Sequence, residues 1–141
     1  MTAKGVNDEQ KLAAAKVMAD AWRDKDWRKV GDLFAEDGVL HSMMVDPVKG
    51  REEIYTRIAA MGAGIEQILL DIEHIGVIDG RVYIERVDRF VYNGHTGNLP
   101  VVGVISYNDD GLISEWREYY DRTELLKEMG VAGDFDHETR S

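Results

Sequence analysis

At Ile65 the spacing of apolar residues changes from helical to alternate, and it stays alternate for most of the remaining chain. Ile68, Leu70, Ile72, His74, Gly76 and Ile78 share one face, with Asp71 and Glu73 on the other. Asp79-Gly80 then reads as a tight hairpin turn. Arg81–Tyr92 is the next strand, and Asn93 to Gly97 the next turn. Leu99–Asn108 is a third long strand, Asp109-Asp110-Gly111 a turn, and Leu112–Asp121 a fourth strand. A meander of such long strands curls, and its apolar face needs a cover.

The first half of the chain supplies that cover. Asn7 caps a helix with Asp8 and Glu9 in its first turn, and Leu12, Ala15, Met18, Ala19 and Trp22 form its apolar stripe. A second short helix carries Trp27, Val30, Leu33 and Phe34 and stops at Asp37-Gly38, and a short strand is expected at Val39–Met43. A third helix after Gly50 presents Ile54, Ile58 and Met61, and Thr123–Met129 reads as a short closing helix. The expected fold is α+β, a curved antiparallel or mixed sheet forming a cone, with the N-terminal helices packed across it. With no internal repeat and no linker, the 141 residues read as one domain, and the ends (about 1–6 and 130–141) as loose.

A formal charge of −10 argues against nucleic acid and against an anionic membrane surface as partners. No apolar run reaches the length of a membrane span, and Met1 to Asn7 lacks the apolar stretch of a signal peptide. The absence of cysteine removes disulfides, thiolate nucleophiles and Cys-ligated metals together. The expectation is a cytoplasmic protein with a small-molecule substrate and no cofactor. The four histidines, His41, His74, His95 and His137, show no metal-ligand spacing.

Chemistry concentrates on two strands. In Arg81–Tyr92, Arg86 and Asp88 share the face of Val82, Ile84 and Phe90. Opposite charges on an apolar face are costly unless paired, so they read either as a structural ion pair or as a functional site. The opposite parity, with Tyr83 and Val87 inward, stays open. In the last strand Leu112, Ser114, Trp116, Glu118 and Tyr120 share a face, and a slip by one would turn Arg117 and Tyr119 inward instead. If both faces point inward, one cavity holds carboxylate, guanidinium and carboxylate. That arrangement can keep one acid ionised while burial favours the protonated form of the other.

Glu85-Arg86-Val87-Asp88 and Trp116-Arg117-Glu118-Tyr119-Tyr120-Asp121 resemble the two signature segments of the limonene-1,2-epoxide hydrolases. The resemblance extends through Phe34-Ala35-Glu36-Asp37, Gly50-Arg51, His74-Ile75-Gly76 and Asn98-Leu99, covering most of Asp20 to Leu126. It implies the cone of the nuclear transport factor 2-like and polyketide-cyclase superfamily. By position it assigns water activation to Glu118, bridging to Arg86 and protonation of the epoxide oxygen to Asp88.

Two departures bear on the chemistry. The family's water-activating residue is Asp, here the longer Glu118, and its water-holding Tyr and Asn fall on Leu40 and Ser42. An acid–base core without a water clamp suits elimination, retro-aldol cleavage or isomerisation. Cofactor-free lyases occur in this superfamily, one of them acting on lignin-derived diarylpropanes. The reading is therefore a cofactor-independent lyase or isomerase on a small, largely apolar, oxygenated substrate. Glu118 is its base, Arg86 its bridge and Asp88 its acid, and Leu40, Ser42, His74, Phe90, Trp116 and Tyr120 shape the pocket. An epoxide hydrolase is the alternative, and a non-catalytic binding module the rival from another class. A homodimer is expected through the outer sheet face, where Tyr83, Val87 and Val91 would otherwise form an apolar strip in water.

Overall fold

The computed structural model describes residues 5–131. Helix α1 (Asp8–Arg23) opens with a capping box in which Asn7 and Gln10 exchange side-chain to backbone hydrogen bonds of 2.8 Å. Helix α2 (Trp27–Asp32) is capped by Asp26, whose carboxylate accepts from the Lys29 amide. The chain then enters β1 (Phe34–Ser42), a two-residue β2 (Val48–Lys49) and helix α3 (Arg51–Gly62). Strands β3 (Ile65–Ile78), β4 (Arg81–Tyr92), β5 (His95–Tyr107) and β6 (Ile113–Tyr119) follow, and helix α4 (Arg122–Met129) closes the described chain.

The strands form one sheet in the order β2-β1-β6-β5-β4-β3. Every neighbouring pair is antiparallel except β1 with β6, which makes the sheet mixed. The sheet is curved and open. Register shifts lie between Phe34 and Val39 in β1, within Ile65–Gln67 and Ile72–His74 in β3, and between Ser106 and Tyr107 in β5. Irregularities of this kind bend and twist strands locally, which suits a sheet that must cup a cavity. The β3–β4 and β4–β5 turns use left-handed backbone, with φ of 52° at Asp79 and 77° at Gly80, and of 46° at Asn93 and 84° at Gly94.

The inner sheet face and the helices enclose one core. Val82, Ile105, Phe34, Val30, Ile54 and Ala15 are completely buried. Trp22 of α1 meets Trp27 edge-on at 5.2 Å and Trp116 of β6 at 6.4 Å, while Phe34 stacks on Trp116. Among the described residues no helix is long and apolar enough to cross a membrane.

Several boundaries differ from the sequence reading. Phe34 belongs to β1 and not to α2, because the Leu33 carbonyl already pairs with the Ile113 amide at the 2.9 Å of a sheet bond. β5 begins at His95, since Tyr92 and His95 pair across a two-residue turn. β6 ends at Tyr119, and Asp121 instead caps α4 by accepting from the Glu124 amide. The expectations for residues 1–4 and 132–141, His137 included, lie outside the described residues.

Candidate active site

β4 fixes the parity question. Val82, Ile84, Arg86, Phe90 and Tyr92 are buried on the inner face, and Tyr83, Glu85, Val87, Arg89 and Val91 face outward. Arg86 is 3% exposed, which leaves its guanidinium dependent on protein partners. Its Nε donates to Asp88 Oδ1 at 2.7 Å and one terminal nitrogen to Asp88 Oδ2 at 3.1 Å. Toward β6, its two terminal nitrogens donate to Glu118 at 3.0 and 2.5 Å. The result is a doubly bidentate clamp: one cation held between two carboxylates.

Arg86 and Glu118 stand on strands separated by β5, roughly 10 Å apart at the backbone. The residue of β5 that pairs with Glu118 is Gly103. A Cβ there would fall 2.8 Å from an Arg86 terminal nitrogen, 2.9 Å from Glu118 Oε2 and 3.1 Å from the Trp116 indole nitrogen. The clamp therefore crosses the middle strand through the space of a missing side chain.

Burial works against the charged Arg86, but Asp88 and Glu118 outweigh it and hold the guanidinium pKa above its ordinary value. Burial likewise pushes the Glu118 carboxyl up, and Arg86 only partly opposes it. The Trp116 indole N–H is buried without a well-aligned acceptor, yet lies close enough to Glu118 to favour its charged form slightly. The Trp116 ring lies 5.9 Å from the Arg86 guanidinium carbon.

Beside this cluster is a cavity of about 140 Å³ between the sheet and helices α1, α3 and α4, walled mainly by apolar side chains. Leu40, Ser42, Phe90, Trp116 and Tyr120 stand on its wall, as do Arg86 and Asp88. Glu118 is not on that wall. It lies against Arg86, with 12% of its side chain exposed.

His74 does not lie on the inner face that alternation from Ile68 predicts. The shift between Ile72 and His74 inserts one residue, so Ile75 and Val77, not His74, continue the inner face. The His74 side chain is 82% exposed on the outer face, 2.7 Å from Glu85. It cannot shape the cavity. The sequence reading also missed Arg57 of α3 and Arg122 of α4, both on the cavity wall. Arg57 precedes Ile58 and stands four residues before Met61 on the stripe of α3, a spacing that could have pointed to it. Among the described residues, no three His, Asp or Glu side chains converge as metal ligands.

The same architecture recurs in proteins of known structure. A putative polyketide cyclase from Xanthomonas campestris matches with a TM-score of 0.77 at 23% identity, over 88% of this chain and 99% of that one. An LEH-like epoxide hydrolase of M. tuberculosis matches with a TM-score of 0.75 at 23% identity, over 86% of this chain and 90% of that one. A hypothetical protein of Catenulispora acidiphila with a ketosteroid isomerase-like fold matches with a TM-score of 0.75 at 24% identity, over 86% and 95% of the two chains. At these identities the likeness is one of fold. The model of the SnoaL-like domain matches residues 15–116, from the middle of α1 to Trp116, and the chain thus belongs to the SnoaL-like domain family.

Proposed function

We propose that this protein is a cofactor-independent acid–base enzyme acting on a small, largely apolar, oxygenated substrate, with lyase or isomerase chemistry. The observation that carries the reading is the buried Arg86, shared by two carboxylates beside an apolar cavity. A pure binder of apolar ligands has no need to desolvate three ionisable groups. The rival reading as a binding module is weaker for that reason.

In this reading Glu118 and Asp88 act as base and acid on either side of Arg86. Glu118, made more basic by burial and in register with the cavity-lining Ser42, takes a proton from a C–H or O–H of a substrate held at the Ser42 end of the cavity. The electron pair released forms a new π bond as a C–O or C–C bond breaks, and Arg86 stabilises the negative charge that develops. Asp88, on the cavity wall, returns a proton to the departing atom. One carboxylate gains the proton the other loses, so the net charge of the cluster does not change. A cavity of about 140 Å³ is close to the roughly 150 Å³ that accommodates a benzene ring, which favours a compact, one-ring substrate, aromatic or not.

The second reading is an epoxide hydrolase using the same three residues, favoured by the Arg86-x-Asp88 arrangement and by the fold shared with the LEH-like epoxide hydrolase. The two readings differ in the fate of water. After a screen of epoxides and hydroxylated aromatics identifies a substrate, turnover in heavy-oxygen water should leave the product unlabelled. Solvent oxygen in the product would establish the hydrolase reading instead.

A further inference from the structure

A second polar group stands on the cavity wall apart from the clamp. The Tyr120 and Ser42 hydroxyls are 3.1 Å apart, and an Arg122 terminal nitrogen donates to the Tyr120 oxygen at 2.7 Å. Arg122 is 9% exposed, and all three residues line the cavity. Ser42 and Glu118 are register partners on adjacent parallel strands, fixed by a 3.0 Å bond from the Met43 amide to the Glu118 carbonyl.

The direction of this chain follows from its chemistry. A guanidinium can only donate, so the Tyr120 oxygen is the acceptor at that end. Accepting from a cation makes the phenol a stronger donor, and a phenol is a better donor than an aliphatic hydroxyl. Burial pushes the Tyr120 phenol up, only partly offset by Ser42 and Arg122, so its proton is in place at neutral pH. Tyr120 therefore donates to Ser42, and the Ser42 oxygen serves as acceptor. The Ser42 hydrogen is left as the free end of the chain, and among the described residues nothing accepts it.

We infer that Ser42 is a substrate-binding donor for an uncharged acceptor oxygen, such as that of a ketone, epoxide or ether, with Tyr120 and Arg122 as positioning residues that aim it. A neutral hydroxyl beside Glu118 suits a neutral oxygen, because an anionic one would meet the carboxylate. The apolar wall would hold the hydrocarbon body and Ser42 would fix its orientation against Glu118. The inference deepens the proposed function by naming its substrate class, but the binding it describes holds whether or not Glu118 is a base.

The test is therefore one of binding. Dissociation constants of cyclohexanone and of methylenecyclohexane, similar in shape but without the oxygen, are measured by NMR titration on the full chain. The parent should prefer the ketone by roughly tenfold, as one net hydrogen bond provides. Ser42→Ala should abolish the preference while leaving methylenecyclohexane affinity unchanged. Ser42→Thr should restore it, and Tyr120→Phe should weaken it. A ketone preference that survives Ser42→Ala would overturn the inference and point to the remaining N–H of Arg86. Equal binding of both probes by the parent would overturn it as well. Loss of activity in Glu118 variants with the ketone preference intact would support both proposals, whereas full activity with the preference intact would support this one and overturn only the acid–base reading.

Discussion

Arg86 is tied into the fold by its carboxylate partners and is the bridge of the proposed chemistry. Buried at 3% exposure, it is tolerable only because Asp88 and Glu118 each meet it in bidentate fashion. The same proximity couples the two acids. Burial raises the Glu118 carboxyl above its ordinary 4.5, so protonation of the base sets in at higher pH than for an exposed glutamate. Activity in this account needs Glu118 ionised and falls as pH drops through that raised value. The acidic limb of kcat/KM should therefore lie above pH 4.5 and be missing from whatever activity Glu118→Gln retains. A limb at or below the ordinary value would remove Glu118 from the role of base.

At the scale of elements, the site depends on what β5 does not carry. Gly103 lets the clamp cross from β4 to β6, and an alanine there would press on both Arg86 and Glu118. Gly103→Ala should cost at least tenfold in kcat, as expected of a clamp displaced by a fraction of an ångström. Circular dichroism should show the secondary structure intact, and parent-like turnover would mean that the clamp's geometry is not limiting. Period two and turn chemistry made β3, β4 and most of β5 and β6 legible in the sequence, and with them the shared face of Arg86 and Asp88. The register shift in β3 was harder to read. One extra residue after Ile72 left His74 on the expected face by counting, although Ile75 and Val77 resume the apolar alternation out of phase with Ile68 and Leu70. Arg57 lies on the apolar spacing of α3, but Arg122 opens α4, and its place on the cavity wall depends on tertiary docking that local spacing does not encode. Gly103 was invisible for a similar reason: the need for a missing side chain arises only when three strands are side by side.

At the scale of the molecule, the inner and outer sheet faces have different tasks. The inner face builds the core and the cavity. The outer face leaves Leu69 at 45% and Tyr119 at 43% exposure, with Tyr83, Val87 and Val91 half-buried beside them. Such a face favours self-association, and we propose a homodimer through it. Sedimentation velocity at micromolar concentration should give a dimer, and Tyr119→Lys should shift it toward monomer. A parent that sediments as a monomer would refute the homodimer and leave the cavity chemistry untouched.

The central claim is that the carboxylates around Arg86 move protons. Its most direct measurement is the turnover of Glu118→Gln against the parent, on the substrate the screen identifies and with its binding monitored in parallel. The substitution keeps the shape of the side chain and deletes its charge. If Glu118 is the base, kcat should fall by at least about a hundredfold, the loss typical of one preorganised electrostatic group, with substrate affinity little changed. Full turnover by Glu118→Gln would contradict the acid–base account.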